Sequence, residues 1–359
     1  MRKRISLLTG AVLLAWGLAL PGATQDAFDL VPVADGVYAA IGRSDAPMPI
    51  GSNAAVIINA DDVVVVDTHY TPSAARALLA QVRKLTDKPV RYVVNTHWHN
   101  DHTQGNQAYF NVFPGSVEFI SHHATREDIQ RRAIPWVKEQ LESLPGQLAR
   151  AEEALAKGED ENGQPLPDEQ KQQRRTQLDR QQRYLEELKQ MQITLPSLTF
   201  ERSLVLHKPD RTIHILFFFR GHTRGDVVVY LPGDRVLIAG DLITSQLPFP
   251  RDSYPAEWVK TLRAVAQLEF DQIIPGHGTV QKDRKQLELI TEVFESLVEQ
   301  VRAAVARGLS LEETRKAVDV ESFRDRVTGG EARLNNAFDQ RIAMALERAY
   351  REASGKLEE

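Results

Sequence analysis

Three histidines and an aspartate fall within six positions of the stretch NTHWHNDHTQG, as His97, His99, Asp101 and His102. The whole chain holds 10 histidines, so this density points to a common purpose. In an extended segment, residues two apart point to the same side, so His97 and His99 reach one point together. Asp101 and His102, further round the loop, reach a second point nearby. Imidazole and carboxylate at this concentration suit zinc, iron or manganese. The chain has no cysteine, which removes the thiolate that biases a site toward zinc. Two ions need further ligands. His222 in FFFRGHTRGD, Asp241 in VLIAGDLI and His277 in QIIPGHG each follow a strand-like run. A fold that unites these four segments must gather strand ends on one edge of a sheet, where α/β proteins place their sites.

The rest of the pattern agrees with that demand. GVYAAIG, NAAVIINA and DVVVVDTH are short apolar or β-branched runs separated by turn residues, and they read as strands. TPSAARALLAQVRKLTD reads as a helix, with Thr71 as its N-cap and Pro72 at the first helical position. VRYVVNTH and VEFISHH continue an alternating strand and helix order, the mark of an α/β fold. Residues 126–192 depart from it. There Ile129, Trp136, Val137, Leu141, Leu144 and Leu148 recur at three or four, and after a Gly/Pro-rich break so do Leu178, Tyr184, Leu185, Leu188 and Met191. That periodicity predicts an inserted antiparallel helical hairpin, with a solvated decoration, a lid and a homodimer contact as the roles open to it. Strands resume at SLVLH, TIHILFFFRGH, DVVVYLPGDRVLIAGD and FDQIIPGHG, and residues 282–359 form a C-terminal helical extension.

The N-terminus, MRKRISLLTGAVLLAWGLALPGA, has a basic start, an apolar run and a small-residue end. It reads as a signal peptide over residues 1–23, cleaved near residues 22–25, because the apolar run falls short of the roughly 20 residues of a span. The expectation is a periplasmic or secreted protein with no stable membrane insertion after cleavage. Without cysteine it relies on its core rather than disulfides. A net charge of -5 with no basic stripe argues against a nucleic-acid partner and for a small-molecule substrate.

HWHNDH, GHT, GD after an apolar strand, PGHG, and VVVVDT upstream together resemble the metallo-β-lactamase superfamily, over most of residues 30–280. The resemblance implies an α/β fold, an αβ/βα four-layer sandwich with the metal site at its edge, here spanning residues 24–281. It also implies a ligand set. His97, His99 and His222 would bind one metal, Asp101, His102 and His277 the other, and Asp241 would bridge both. Asp67 matches an aspartate that supports the ligand loop. The implied cofactors are two divalent metal ions, zinc first and iron or manganese as alternatives. The implied activity is hydrolysis by a metal-activated hydroxide, with Asp101 as the catalytic residue that orients it.

Substrate class is less constrained, because one fold hosts many chemistries. The best-known zinc β-lactamases carry cysteine where this chain has Asp241 and a lysine three residues later, where it has Thr244. The all-His/Asp set is similar instead to glyoxalase II and acyl-homoserine lactonases. An ester, lactone, thioester or amide carbonyl is therefore the expected target. β-Lactams, phosphodiesters or sulfate esters are the alternative, and a non-catalytic metal-binding protein ranks below them. The loop over residues 42–53 reads first as a simple connection, with Met48 and Ile50 as candidate contacts for apolar substrate. His69 is a candidate pocket residue and Arg251 a candidate carboxylate partner, while His122, His123, His207 and His214 read as structural or surface residues.

Overall fold

The computed structural model describes residues 27–160 and 163–357; the expected signal peptide lies outside them. Seven strands form the first sheet in chain order: β1 (Phe28–Ala34), β2 (Val37–Gly42), β3 (Ala54–Ile58), β4 (Val63–Val66), β5 (Val90–Val94), β6 (Glu118–His122) and β7 (Leu198–Phe200). Pairing is antiparallel from β1 to β4 and parallel from β4 to β7. The second sheet has five strands: β8 (Ser203–His207), β9 (Thr212–Leu216), β10 (Val228–Leu231), β11 (Val236–Gly240) and β12 (Gln272–Pro275), in the order β12-β11-β10-β9-β8. Within it only β11 and β12 run parallel.

Side-chain alternation decides the layering. On β4, Val64 and Val66 face the space between the sheets with Ile213, Val229 and Ile274, while Val63 and Val65 face outward. The outward pair packs under α1 (Pro72–Val82) and α3 (Asn106–Val112), through Leu78 and Tyr109. On β11, Val236 and Ile238 point inward, and Leu237 and Ala239 face the far helices. The result is helix, sheet, sheet, helix, with a core in each of the three gaps. Thr71 caps α1 as predicted, its hydroxyl accepting the Ala74 N–H at 3.1 Å.

Between α1 and α3 lies a short helical turn, α2 (Asn100–Thr103), where the sequence reads as loop. After β6 the chain forms α4 (His123–Asp128), a π-turn over Ile129–Ala133, and the hairpin of α5 (Ile134–Lys157) and α6 (Asp168–Lys189). The hairpin has its own core around Leu144, Leu148, Leu178 and Leu188. Its base is fastened to the sandwich. Tyr184 stacks on Tyr70 at 4.6 Å and donates to Gln104 Oε1 at 3.0 Å, and Glu187 accepts the Ser73 N–H and hydroxyl. On the other side, α7 (Pro255–Val265), α8 (Lys285–Ala306), α9 (Leu311–Ala317), α10 (Arg324–Thr328) and α11 (Ala332–Ala353) complete the fourth layer. Trp258, Phe294, Leu297, Phe338 and Leu346 bury a common core against the second sheet. The strand predicted through Phe219 ends at Leu216, so the run onward to His222 is free to turn toward the sheet edge.

Candidate metal centre

The ligand loops leave the strands under tight backbone control. Directly after β4, Asp67 adopts φ 61° and His69 φ 69°, a left-handed region in which aspartate and histidine are enriched among non-glycine residues. This turn aims the Asp67 carboxylate at the next loop. It accepts the Thr96 N–H at 2.8 Å, the Thr96 hydroxyl at 2.7 Å and His102 Nδ1 at 2.7 Å. The sequence-level role of Asp67 as a support for the loop matches this placement. Gly105 permits the next close approach, since a Cβ there would lie 1.8 Å from the Thr68 carbonyl oxygen.

These hydrogen bonds fix ring tautomers. His102 donates Nδ1–H to Asp67, which turns Nε2 toward the centre. The Thr96 hydroxyl gives its proton to Asp67 and therefore accepts Nδ1–H of His97 at 3.0 Å, freeing His97 Nε2. His99 donates Nε2–H to Asp252 Oδ2 at 3.0 Å, so its Nδ1 is the exposed lone pair, 3.0 Å from His222 Nε2. A partner that orients the ring from behind is the usual arrangement for a metal-ligating histidine.

The sequence candidates converge into two sets. Atoms of His97, His99, His222 and Asp241 all lie within 4.8 Å of one another, as do those of Asp101, His102 and His277. Asp241 faces both. Its Oδ2 is 3.5 Å from His222 Nε2, and its Oδ1 is 3.4 Å from both His102 Nε2 and His277 Nε2. Asp101 Oδ2 lies 3.3 Å from His277 Nε2. Ligands about 2.0–2.2 Å from a tetrahedral ion are about 3.3–3.6 Å apart, so the spacing fits a divalent cation. His97 Nε2, His102 Nε2 and Asp241 Oδ1 are buried with no hydrogen-bond partner, as donors reserved for a metal would be.

Electrostatics divide the histidines. Burial and neighbouring imidazoles push His97 well down, and burial with His99 brings His222 to about 3. Burial also opposes the charged forms of His102 and His277, but the carboxylates of Asp101, Asp67 and Asp241 outweigh it. They raise His102 and bring His277 to about 10. In return, against burial, His102 and His277 hold Asp101 and Asp241 below the usual carboxylate range. The second set is thus built to hold positive charge. Asp226 braces the turn after His222 by accepting the Thr223 N–H at 2.7 Å, and burial raises it to about 7.

The loops that carry Asp241 and His277 are stitched to the first sheet. Asn53 donates N–H to the Gly276 carbonyl at 2.7 Å and Nδ2–H to the carbonyls of Pro275 and Gly278 at 2.9 and 2.8 Å. A Cβ on Gly276 would sit 2.0 Å from Asp241 Oδ1. Above the centre opens a pocket of about 540 Å³. Its walls are His99, Asp101, His222, Asp241 and His277 below, residues 244–249 on one side and Arg341 of α11 on another.

The remaining sequence candidates lie away from the pocket. Ile50 is buried in the core beneath the first sheet with Met48 packed beside it, because α6 covers their loop through Arg180 and Arg183. His69 is fully buried, donating Nδ1–H to the Ser52 carbonyl and stacking on Phe28. Arg251 is exposed beside Asp252 and does not line the pocket. Among the described residues, the hairpin contributes none to the lining either. His122 is structural, its Nδ1 accepting the Ala124 N–H and its ring stacked on Phe217. The segment TSQLPFPRDSYP, residues 244–255, follows Asp241 and reads in the sequence as a further pocket wall, and residues 244–249 take that place. Roles that the sequence did not reveal are those of Asp252 as the partner of His99, of Arg132, which donates to Asp252 at 3.0 Å, and of Arg341 in the pocket wall.

Comparison with known proteins gives a consistent picture. A model of the family described as "Metallo-beta-lactamase superfamily" matches residues 47–277. The linear primary-alkylsulfatase of Pseudomonas sp. (strain ATCC 19151) is 23% identical over 263 residues, which cover 70% of this chain and 46% of that enzyme. The chain thus spans about half the length of that curated relative. Among solved structures, a metallo-β-lactamase from Pontibacter korlensis superposes with a TM-score of 0.53 at 16% identity, covering 75% of this chain and 99% of that one. The metallo-β-lactamase FIM-1 from Pseudomonas aeruginosa, in its mono-zinc form, gives 0.52 at 19% identity, covering 76% and 98%.

Proposed function

Because the chain belongs to the metallo-β-lactamase superfamily, and is within it a metal-dependent hydrolase, we propose that it cleaves a small ester-type substrate by attack of hydroxide on a carbonyl. Carboxylic esters, lactones, thioesters and amides are the class. The observation that carries this reading is Asp241, with one oxygen toward each ligand set at 3.4–3.5 Å. Two divalent ions bound there, zinc first, would supply Lewis acidity and lower the pKa of water.

The residues of the chain divide the remaining work. His97 and His99 present lone pairs whose direction is set by Thr96 and Asp252, and His222 joins them in the same ligand set. Asp101, His102 and His277 form the more anionic half, and Asp101, with 26% of its side chain exposed, is the carboxylate that orients an attacking water. The pocket walls at residues 244–249 exclude bulk water from one side.

The alkylsulfatase likeness favours a second reading, in which the bond cleaved is a sulfate ester. The basic start and apolar run of the N-terminus support export to the periplasm or beyond.

The test is metal content with a substrate panel. Purified protein is expected to hold about two ions per chain and to hydrolyse at least one ester, lactone, thioester or sulfate ester, losing activity to a chelator and regaining it with zinc. Two bound ions with no cleavage of any of these, or cleavage that survives chelation, would overturn the proposal.

A further inference from the structure

The pocket above the centre has a cation that the metal site does not account for. Arg341 lies on α11, outside residues 47–277 that match the family. Its neighbours at helical spacing, Phe338 and Ala345, are buried in the C-terminal core, so Arg341 sits on the packed stripe of an amphipathic helix. A guanidinium there loses hydration and needs a reason. The bland reason would be a structural clip, and α11 contains one for comparison. Arg348, two turns on, donates to the Ser253 carbonyl at 2.7 Å and covers the Tyr254 ring. Arg341 differs, for it lines the pocket wall.

Among the described residues, its one hydrogen bond is to Gln246 Oε1 at 3.2 Å, and no carboxylate forms an ion pair with it. Five N–H donors in a planar fork are available to a guanidinium, and Gln246 takes one. The carboxylate that most affects Arg341 is Asp241, which is committed to the ligand sets. Beside the fork the wall turns apolar through Leu247, Pro248 and Phe249, and Phe249 is 40% exposed.

We propose that Arg341, held by Gln246, is a specificity-determining residue that receives a carboxylate or sulfo group of a substrate whose apolar chain lies along residues 247–249. The inference rests on the hydrolase reading of the same pocket and narrows its substrate to amphiphilic anions. A bidentate oxyanion fits a guanidinium fork as it does not fit an ammonium.

The test uses zinc-loaded Arg341→Met and Arg341→Lys beside the wild type. Binding of hexanesulfonate, an anion with no bond to hydrolyse, is measured by calorimetry against hexanol as the neutral control. Hexanesulfonate is expected to bind the Met variant about 10- to 100-fold more weakly, as for loss of a charge-assisted hydrogen bond. The Lys variant should fall between, with hexanol unchanged throughout. In parallel, mono-p-nitrophenyl glutarate should suffer a KM increase of similar size, while p-nitrophenyl valerate, its uncharged counterpart, stays within about threefold. Equal binding of hexanesulfonate to wild type and Met variant, no binding to wild type, or equal losses on both esters would overturn the assignment. A wild type that binds the sulfonate through Arg341 yet cleaves nothing would refute the hydrolase reading instead.

Discussion

Replacing Asp252 with alanine isolates what a residue outside the ligand shell does for the centre. Its Oδ2 accepts the Nε2–H of His99 at 3.0 Å, and its Oδ1 accepts an N–H from Arg132 Nη1 at the same distance. Burial opposes its charge, but His99, Arg251 and Arg132 hold it well below the usual carboxylate range. Without it, His99 can turn or exchange tautomers, and Nδ1 no longer faces His222. A hydrogen bond involving a charged group contributes about 1.5–3 kcal/mol, which at tenfold per 1.4 kcal/mol is about 10- to 150-fold in affinity. Loss of comparable partners around other metal sites weakens binding about 10- to 100-fold. The Asp252 side chain is only 14% exposed, so solvent screening removes little of this. Competition titration against a chromophoric chelator should therefore show one ion held about 10- to 100-fold more weakly in Asp252→Ala, and the other nearly unchanged. Asp252→Asn, which retains an acceptor for His99, should lose less. Thermal denaturation of both variants checks that the sandwich survives. An alanine variant whose two ions bind within twofold of wild type would refute the reasoning.

Other consequences are equally open to measurement. Asp101→Ala should lower kcat by about 10²- to 10⁴-fold, while the His97, His99 and His222 set keeps its ion; turnover within tenfold of wild type would remove Asp101 from the mechanism. Gly276→Ala places a methyl group 2.0 Å from Asp241 Oδ1. It should cost about 1–3 kcal/mol of stability and loosen both ions, seen as a lower melting temperature and incomplete metal loading. Because His277 is raised to about 10 and His102 also upward, both are protonated near neutral pH until a metal displaces those protons. Affinity should rise with pH, by roughly tenfold per unit for each proton released. Calorimetry in buffers of different ionisation enthalpy counts them, and no proton release at pH 7 would contradict the electrostatics.

The ligands were legible because their chemistry is local. Residues 97–102 crowd metal-binding side chains into one loop, Asp241 and His277 each follow an apolar run that forms a buried strand, and His222 follows an apolar run whose strand ends at Leu216. The sandwich was legible for the same reason, through the fully buried Val63–Val66 and the capped helix at Thr71. Asp252, Arg132 and Arg341 were not. Each is an ordinary charged residue whose meaning depends on tertiary packing. Arg132 is aimed by a π-turn that no local pattern announces, and Arg341 is brought over the pocket by a helix that reads as core. Ile50 misled in the opposite sense. An apolar residue in a loop reads as a substrate contact until the covering helix α6 is known, and that helix is more than a hundred residues away.

The Asn53 stitches to Pro275, Gly276 and Gly278 join positions 222 to 225 residues apart. Four of the seven candidate ligands hang from the first sheet and three from the second, so neither ligand set is complete until the sheets have docked. Metal capture is then among the last events of folding. Closing so long a loop is slow relative to local structure, and an ion that waits for it acts as a latch on the finished chain. At a free concentration 1,000 times Kd it adds about 4 kcal/mol to stability. Opening the sandwich first requires the latch to be released. With ions bound there, the lifetime of the folded protein would follow the metal supply around it as well as its own core.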